Sequence, residues 1–389
     1  MYDAWCPVPF MEVFIRNDGT VLMCCDTDDI VGNVHENSLT EIFNSEIYQS
    51  VRQSMINNVK TPVCNLCWTR EEKVGHSYRN YFLSNEGIKH TTGFDNKESF
   101  YKDAGTKIRY MKVDFSAACN MKCPMCNVHR STGWIKDKKA FEKIDPEFDG
   151  VIKNWDTITA QIPKSFVDDN WDIIYDSYFI DMSGGEPFYS QTAIYLLERL
   201  VEADWKGRMK IITNASLVEP YIPMLKKFNN IGLVISVDGS HDLYEYMRPI
   251  SGGEQLNWEG FERIVQKLKK EGIGFSFSYT PQLLNIKNII TWFDWANQMT
   301  TKTLLNQPLT NPSYLQIENY PDEEYKQKLA NDVENYSFRS NLNEGKKLAL
   351  INKLRTKHNP VQYEQFLRYI NTLDSIRNQS FKSIMPKNA

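Results

Sequence analysis

Across 389 residues the chain is 41% hydrophobic and 24% charged, with a net charge of −4, an ordinary globular composition with core material for about two to three domains. The charge is spread out, so no basic surface argues for nucleic acid, and no run of about 18 apolar residues argues for a membrane span. All eight cysteines (6, 24, 25, 64, 67, 119, 123 and 126) lie in the first third. The amino terminus lacks a basic stretch followed by an apolar core, so no secretory signal is expected. Clustered thiols in a chain with no export signal expected suggest metal ligation over disulfides, and the cytoplasm as compartment.

The first elements form a cysteine-bearing hairpin. Met11–Arg16 and Thr20–Cys24 alternate on either side of Asn17-Asp18-Gly19, a strong hairpin signal. Ser38-Leu39-Thr40-Glu41 is a capping box. It predicts one helix with Leu39, Ile42, Phe43, Ile47, Val51 and Met55 along a single stripe. The hairpin carries Cys6 and Cys24, and the helix delivers the chain to Cys64-Asn65-Leu66-Cys67, so four ligands converge and close a site. Cys25 is left over, as a neighbouring or merely buried thiol. By spacing alone, structural zinc and an iron–sulfur cluster both suit this set. Residues 84–105 are polar with scattered glycine and read as a linker.

A strand near 108–115 leads into Ala118-Cys119-Asn120-Met121-Lys122-Cys123-Pro124-Met125-Cys126, a CxxxCxxC run. Three thiolates can bind three irons of a 4Fe–4S cubane and leave the fourth without a protein ligand. Electron carriers mostly use four cysteines, and a closed zinc site takes four ligands. An open iron is a place for a substrate or cofactor, so the spacing reads as catalytic. A second strand, 177–182, runs straight into Ser183-Gly184-Gly185-Glu186-Pro187. Two glycines at a strand end allow close backbone approach to a ligand, beside the fixed charge of Glu186. Between them, residues 127–176 form an insertion containing Trp134, Trp155 and Trp171, read as helical decoration.

Further strands are predicted near 209–213, 231–237, 273–280 and 301–305, with helices at about 190–204, 219–229, 257–271 and 287–298. This alternation implies a parallel sheet. The strand ends Thr213-Asn214 and Ser236-Val237-Asp238-Gly239 fit ordinary turn chemistry as well as ligand contact. Residues 320–389 carry helical spacing at Tyr325, Leu329 and Val333, at Leu348, Leu350, Ile351 and Leu354, and at Tyr363, Phe366, Leu367, Ile370 and Leu373. They predict two or three amphipathic helices packed on their own domain. No GxSxG, P-loop or HExxH motif occurs, which leaves hydrolase and kinase chemistry without support.

CxxxCxxC after one strand and Gly-Gly-Glu-Pro after the next resemble the radical S-adenosylmethionine (SAM) superfamily over about residues 107–310. The resemblance implies an α/β fold, a partial (β/α)6 TIM-like barrel with its site at the C-terminal strand ends. It implies that SAM chelates the unique iron of a 4Fe–4S cluster on Cys119, Cys123 and Cys126. Gly184, Gly185 and Glu186 would hold the SAM ammonium. Asn214, Ser236, Asp238 and Arg248 would contact ribose and carboxylate, and the Met125 backbone would face adenine, although that position is usually aromatic. Reductive cleavage of SAM would give a 5′-deoxyadenosyl radical that takes a hydrogen atom from the substrate, the cofactor doing the hard chemistry.

Cys6, Gly19, Cys24, Gly32-Asn33-Val34, Ser38-Leu39, Glu41-Ile42-Phe43 and the CxxC resemble the SPASM/twitch auxiliary module of the same superfamily, here placed before the barrel. It implies a second 4Fe–4S cluster on Cys6, Cys24, Cys64 and Cys67. The expected organisation is a twitch-like module at 1–85, a linker at 86–106, the barrel at 107–310 and a helical extension at 311–389, with α-helices following the barrel. The family likeness implies oxidation or crosslinking of a peptide or protein, with a flavodoxin- or ferredoxin-type electron donor. Oxidation of a small alcohol or aminocyclitol is an alternative, and a non-catalytic iron–sulfur electron carrier a third. No nucleic acid or membrane partner is expected.

Overall fold

The structure, a computed structural model, describes residues 4–75, 77–103, 106–148, 161–300, 303–339 and 344–384. Trp155 lies outside them. The strands are β1 (Glu12–Ile15), β2 (Thr20–Leu22), β3 (Ile30–Asn33), β4 (Tyr110–Asp114), β5 (Phe179–Ser183), β6 (Arg208–Thr213), β7 (Ile231–Ser236), β8 (Gly274–Tyr279) and β9 (Thr303–Leu305). The helices before β4 are α1 (Leu39–Phe43), α2 (Glu46–Ile56), α3 (Asn65–Val74), α4 (Tyr78–Leu83), α5 (Asn85–Thr92) and α6 (Lys97–Asp103). Next come α7 (Trp134–Ile144), α8 (Lys164–Asp169), α9 (Trp171–Asp176), α10 (Gln191–Glu202), α11 (Ile222–Leu225), α12 (Asp242–Met247), α13 (Trp258–Lys270) and α14 (Ile289–Met299). The chain closes with α15 (Glu323–Asn335), α16 (Glu344–Leu354), α17 (Pro360–Arg377) and α18 (Phe381–Ile384). Among the described residues no helix is long and apolar enough to cross a membrane. The fold is α/β, and the six strands expected from residue 108 onward are all present as β4 to β9.

The chain divides into two compact units. One holds residues 1–117, 159–212 and 223–231, the other 118–158, 213–222 and 232–389. In the first, the strand order is β3-β2-β1-β4-β5-β6. β1 pairs antiparallel with β2 but parallel with β4, and β4, β5 and β6 continue in parallel. The hairpin is thus an extension of the parallel sheet. Glu12-Val13-Phe14-Ile15 is buried at every position, the mark of a strand covered on both faces rather than one. The hairpin turn needs Gly19, at φ +85°, where a Cβ would stand 2.3 Å from the His35 ring.

The capping box of Ser38 and Glu41 is present, but the single predicted helix is two. Ser45 is extended, at φ −61° and ψ 159°, and starts α2 afresh, which turns Ile47 out to solvent. The segment read as a linker is also helical, forming α5 and α6. Ser84 caps α5 by accepting from Gly87 N at 3.0 Å.

The two faces of the first unit's sheet differ in chemistry. Val13, Ile15, Met111, Val113, Ile180, Met182, Met209 and Ile211 occupy one face, all fully buried. The alternate positions bring Glu12 beside Tyr110, and Phe14, Lys112, Asp181 and Lys210 into one cross-strand row. Tyr110 Oη donates to Asp181 Oδ2 at 3.0 Å, and Lys210 Nζ reaches the same oxygen at 2.5 Å. Asp181 Oδ1 is buried without a hydrogen-bond partner. Tyr78 Oη donates to Glu12 Oε2 at 3.2 Å.

In the second unit the strand order is β7-β8-β9, all parallel. The carboxy-terminal helices belong to this unit's core. Phe366, Tyr369, Ile370 and Leu373 of α17 and Phe381 of α18 pack with Val128, Trp134, Phe141, Met247 and Tyr314. Leu348 and Leu367, read as buried from their spacing, are exposed.

Burial pushes the Glu12 carboxyl from 4.5 up to about 8, against the pull of Lys112 and Tyr78. A raised folded-state value means that the folded chain holds a proton that the unfolded chain has released. Stability should therefore fall as pH rises from about 4.5 to about 8. Glu12→Gln should flatten that part of the melting-temperature profile and leave the acid limb in place. An unchanged slope would show that Glu12 is not the group responsible.

Candidate active site and auxiliary cysteine cavity

The CxxxCxxC run follows β4 as a loop whose backbone is held by partners from elsewhere in the second unit. Met121 bridges to Ile250, with Lys122 N donating to Pro249 O at 3.0 Å and Ser251 N to Asn120 O at 2.7 Å. Ser131 Oγ donates to Met121 O, and Trp134 Nε1 donates to Cys123 O at 2.8 Å. Pairing these groups matters because a buried carbonyl left alone costs about 1–3 kcal/mol.

The sulfurs meet nitrogen donors of the same unit. Met121 N lies 3.4 Å from Cys119 Sγ, and Asn214 Nδ2 lies 3.9 Å from it. Arg248 Nη1 stands 3.5 Å from Cys123 Sγ. Burial pushes the Cys123 thiol up while the Arg248 guanidinium pulls it down. Cys126 is pushed up to about 12, by burial first and then by Cys123. A metal ligand must be deprotonated, so loading this loop has to release protons, with Arg248 favouring the Cys123 thiolate.

Of the other residues singled out in the sequence, Asn214 and Arg248 come to the cysteine loop through the bonds just given. Asn214 Nδ2 also donates to Asn120 Oδ1 at 3.0 Å, and its Oδ1 accepts from Ser216 N at 2.9 Å, the turn chemistry of a strand end. Asp238 is buried, with Oδ2 accepting from Arg248 and Oδ1 from Thr280 N at 2.9 Å. Both of its oxygens are therefore engaged within the protein, and it fixes Arg248 in place. Arg248 Nε is buried without a hydrogen-bond partner. Ser236 ends β7 opposite Ser278 of β8. Met125 and Cys126 pack against the aromatic core that α17 helps to build.

Gly184, Gly185 and Glu186 belong to the first unit and follow β5. Gly184 has φ +112°, and a Cβ there would meet Ser116 O at 3.0 Å and Asp114 Cα at 3.2 Å. Both the conformation and the space demand glycine. Gly185 N donates to Ser116 O at 2.8 Å, and Ser183 Oγ donates to Asp114 Oδ1 at 2.5 Å. Glu186 is buried and accepts from Phe188 N at 3.1 Å.

The amino-terminal thiols also gather within the first unit. Cys6, Cys24, Cys64 and Cys67 line one cavity together with Asp26, Tyr78 and Arg79; Cys25 is not among its lining residues. Among the described residues no three His, Cys, Asp or Glu side chains stand close enough to hold a single metal ion. Arg79 supplies positive charge to this cavity. It is held by Glu71 through Nε at 2.9 Å, by Trp5 O at 2.8 Å, and over the Trp68 ring at 4.5 Å. Sequence reasoning missed Arg79, Glu12 and Asp181. For the last two a signal was present: a lone acidic residue inside a strand that is otherwise almost wholly apolar.

The donor sets fit the two groups implied by the sequence. The loop offers three cysteines and a buried Arg248 Nε without a hydrogen-bond partner, and the cavity is lined by four cysteines. The model of the radical SAM superfamily matches residues 113–295, and that of the SPASM iron–sulfur cluster-binding domain matches residues 6–68. No curated protein matches the chain. Similar solved structures include Streptococcus suis SuiB bound to S-adenosylmethionine, 16% identical over 76% of this chain and 59% of that one, with a TM-score of 0.41. SuiB bound to precursor peptide SuiA is 15% identical over 76% and 59%, with a TM-score of 0.40. The protein anSMEcpe with bound AdoMet and Cp18Cys peptide is 15% identical over 57% of each chain, with a TM-score of 0.35. The chain thus spans less than two thirds of the length of these proteins. The matched domains imply 4Fe–4S clusters and S-adenosylmethionine as cofactors. Residues 113–295 belong to the radical SAM superfamily, and residues 6–68 are an iron–sulfur cluster-binding domain of the SPASM type.

Proposed function

We propose that this chain is a radical SAM oxidoreductase that oxidises or crosslinks a peptide or protein. The observation that carries the reading is the contrast between a loop with three cysteines and a separate cavity lined by four. Three sulfurs leave a position open for a cofactor, while four favour electron transfer over coordination. Bound at Cys119, Cys123 and Cys126, a reduced 4Fe–4S cluster with S-adenosylmethionine supplies hydrogen-atom abstraction from an unactivated carbon.

The chain's own residues have separable tasks in this reading. Arg248, fixed by Asp238, presents positive charge beside Cys123, which suits a thiolate ligand and a carboxylate. Asn214 steadies the loop at Cys119 and Asn120. Gly184 and Gly185 keep backbone open for an ammonium group, with Glu186 as its counter-charge. Ser236 and the backbone of Met125 complete the cofactor's surroundings. Cys6, Cys24, Cys64 and Cys67 hold the auxiliary cluster, with Arg79 favouring their thiolates. The pairing of the two matched domains supports a peptide or protein substrate, because the auxiliary module is commonest among peptide-modifying members. A flavodoxin- or ferredoxin-type protein supplies the electron. Thiols clustered in pairs and a triplet, as metal ligands, suit a reducing compartment, the cytoplasm.

Anaerobic incubation of the reconstituted protein with S-adenosylmethionine and dithionite should yield 5′-deoxyadenosine. Cys→Ala at 119, 123 or 126 should abolish that product. The same change at Cys64 or Cys67 should leave some cleavage while stopping turnover of the true substrate. A fully reconstituted protein that forms no product would overturn the reading.

Gly184→Ala should lower product formation at least tenfold, with iron content unchanged. Wild-type rates in that variant would remove the Gly184 turn from the binding site.

A further inference from the structure

The cysteine loop has two backbone carbonyls that its own neighbourhood does not satisfy, and both are taken by α17. Tyr369 Oη donates to Pro124 O at 2.6 Å across 245 residues of sequence. Arg377 Nη2 donates to Lys122 O at 2.6 Å across 255 residues. These carbonyls flank Cys123, whose own carbonyl accepts from Trp134 Nε1. From Asn120 to Pro124, each successive carbonyl therefore accepts from a donor outside the cysteine run.

The grip is rigid. Arg377 Nε donates to Asp137 Oδ2 at 2.7 Å, and Lys122 Nζ reaches Asp137 Oδ1 at 3.0 Å. The Asp137 and Arg377 side chains are only 4% and 2% exposed, so this pair is desolvated and breaking it leaves a buried charge. The Arg377 guanidinium also lies 4.8 Å from the centre of the Trp134 ring. The helix is stopped at both ends. Asn359 Oδ1 accepts from Val361 N at 3.0 Å ahead of Pro360, and Asn378 closes it in the left-handed conformation at φ 51°. Between the two contacts, Ile370 and Leu373 anchor it in the aromatic core against which Cys126 packs.

We propose that α17 is a positioning element for the CxxxCxxC loop, in which Tyr369 and Arg377 fix the backbone on either side of Cys123 and Arg377 adds a buried positive charge next to the sulfur ligands. Both residues bond to backbone carbonyls of the loop and not to its sulfurs, and both act through the loop. The helix is thereby a structural part of the site. The redox part of this inference rests on the proposed cluster at Cys119, Cys123 and Cys126; the backbone part does not.

Two measurements on the full chain test it. In the metal-free protein, Tyr369→Phe and Arg377→Gln should each speed amide hydrogen exchange at residues 120–126 about tenfold, with β8 unchanged. Wild-type exchange in the loop, or an equal change in β8, would overturn the proposal, since the second result marks general loosening. In the reconstituted protein, the EPR signal that responds to S-adenosylmethionine is titrated against potential, with the other cluster as internal reference. Arg377→Gln should make reduction about tenfold less favourable, a shift of about −59 mV for one electron, and Arg377→Lys should restore most of it. An unchanged potential in Arg377→Gln would remove the charge from the proposal. If the wild-type chain takes up no cluster, the functional reading fails, and the exchange result still decides whether α17 holds the loop.

Discussion

A loop that offers three sulfurs to a cluster must hold its shape with few residues and little regular structure. Its carbonyls cannot form a ladder, and inside a protein each unpaired one costs about as much as a lost hydrogen bond. Here the solution is to recruit donors from distant parts of the second unit: the 249–251 turn, Ser131, Trp134, Tyr369 and Arg377. Trp134 and Tyr369 are also core residues, so the packing that stabilises the unit and the bonds that shape the loop come from the same side chains. The geometry of the sulfurs is thereby tied to the stability of the fold.

Charge is organised in the same economical way. Arg248 and Asp238 form a buried pair whose guanidinium meets Cys123. Asp137 joins Lys122 to Arg377 just behind the loop. Arg79 and Glu71 do the equivalent for the amino-terminal cavity. In each case an acid fixes a cation near thiols that burial alone would keep protonated. Buried ion pairs of this kind are weak evidence for stability, and their value here lies in the placement of positive charge. The polar sheet face of Glu12, Lys112, Asp181 and Lys210 follows a different logic, for Asp181 keeps one oxygen buried and unpaired.

Much of this was legible in the sequence because the signals are local. CxxxCxxC, Gly-Gly-Glu-Pro, the Asn-Asp-Gly turn and the capping box each occupy a few residues, and the turn and the capping box form where they were expected. The six later strands were readable from their apolar runs. What was hidden depends on separation along the chain. Nothing near Arg377 or Tyr369 announces that they reach residues about 250 positions earlier. The parallel pairing of β1 with β4 was hidden for the same reason, and a hairpin motif encourages the opposite expectation of a separate module. The split of one helix at Ser45 was hidden too, for the extended backbone there interrupts the apolar stripe without any side-chain cap that the sequence could announce. Leu348 and Leu367 fit the helical spacing and still face solvent, since periodicity indicates a face but not what covers it.

The central claim is that Cys119, Cys123 and Cys126 leave one iron of a cubane open to S-adenosylmethionine. Electron–nuclear double resonance on the reduced protein, with the methionine amino nitrogen or carboxylate isotopically labelled, tests it most directly. The account predicts a hyperfine coupling from the label to the cluster, lost in Cys123→Ala. A reduced cluster whose spectrum is the same with and without the labelled cofactor would contradict it.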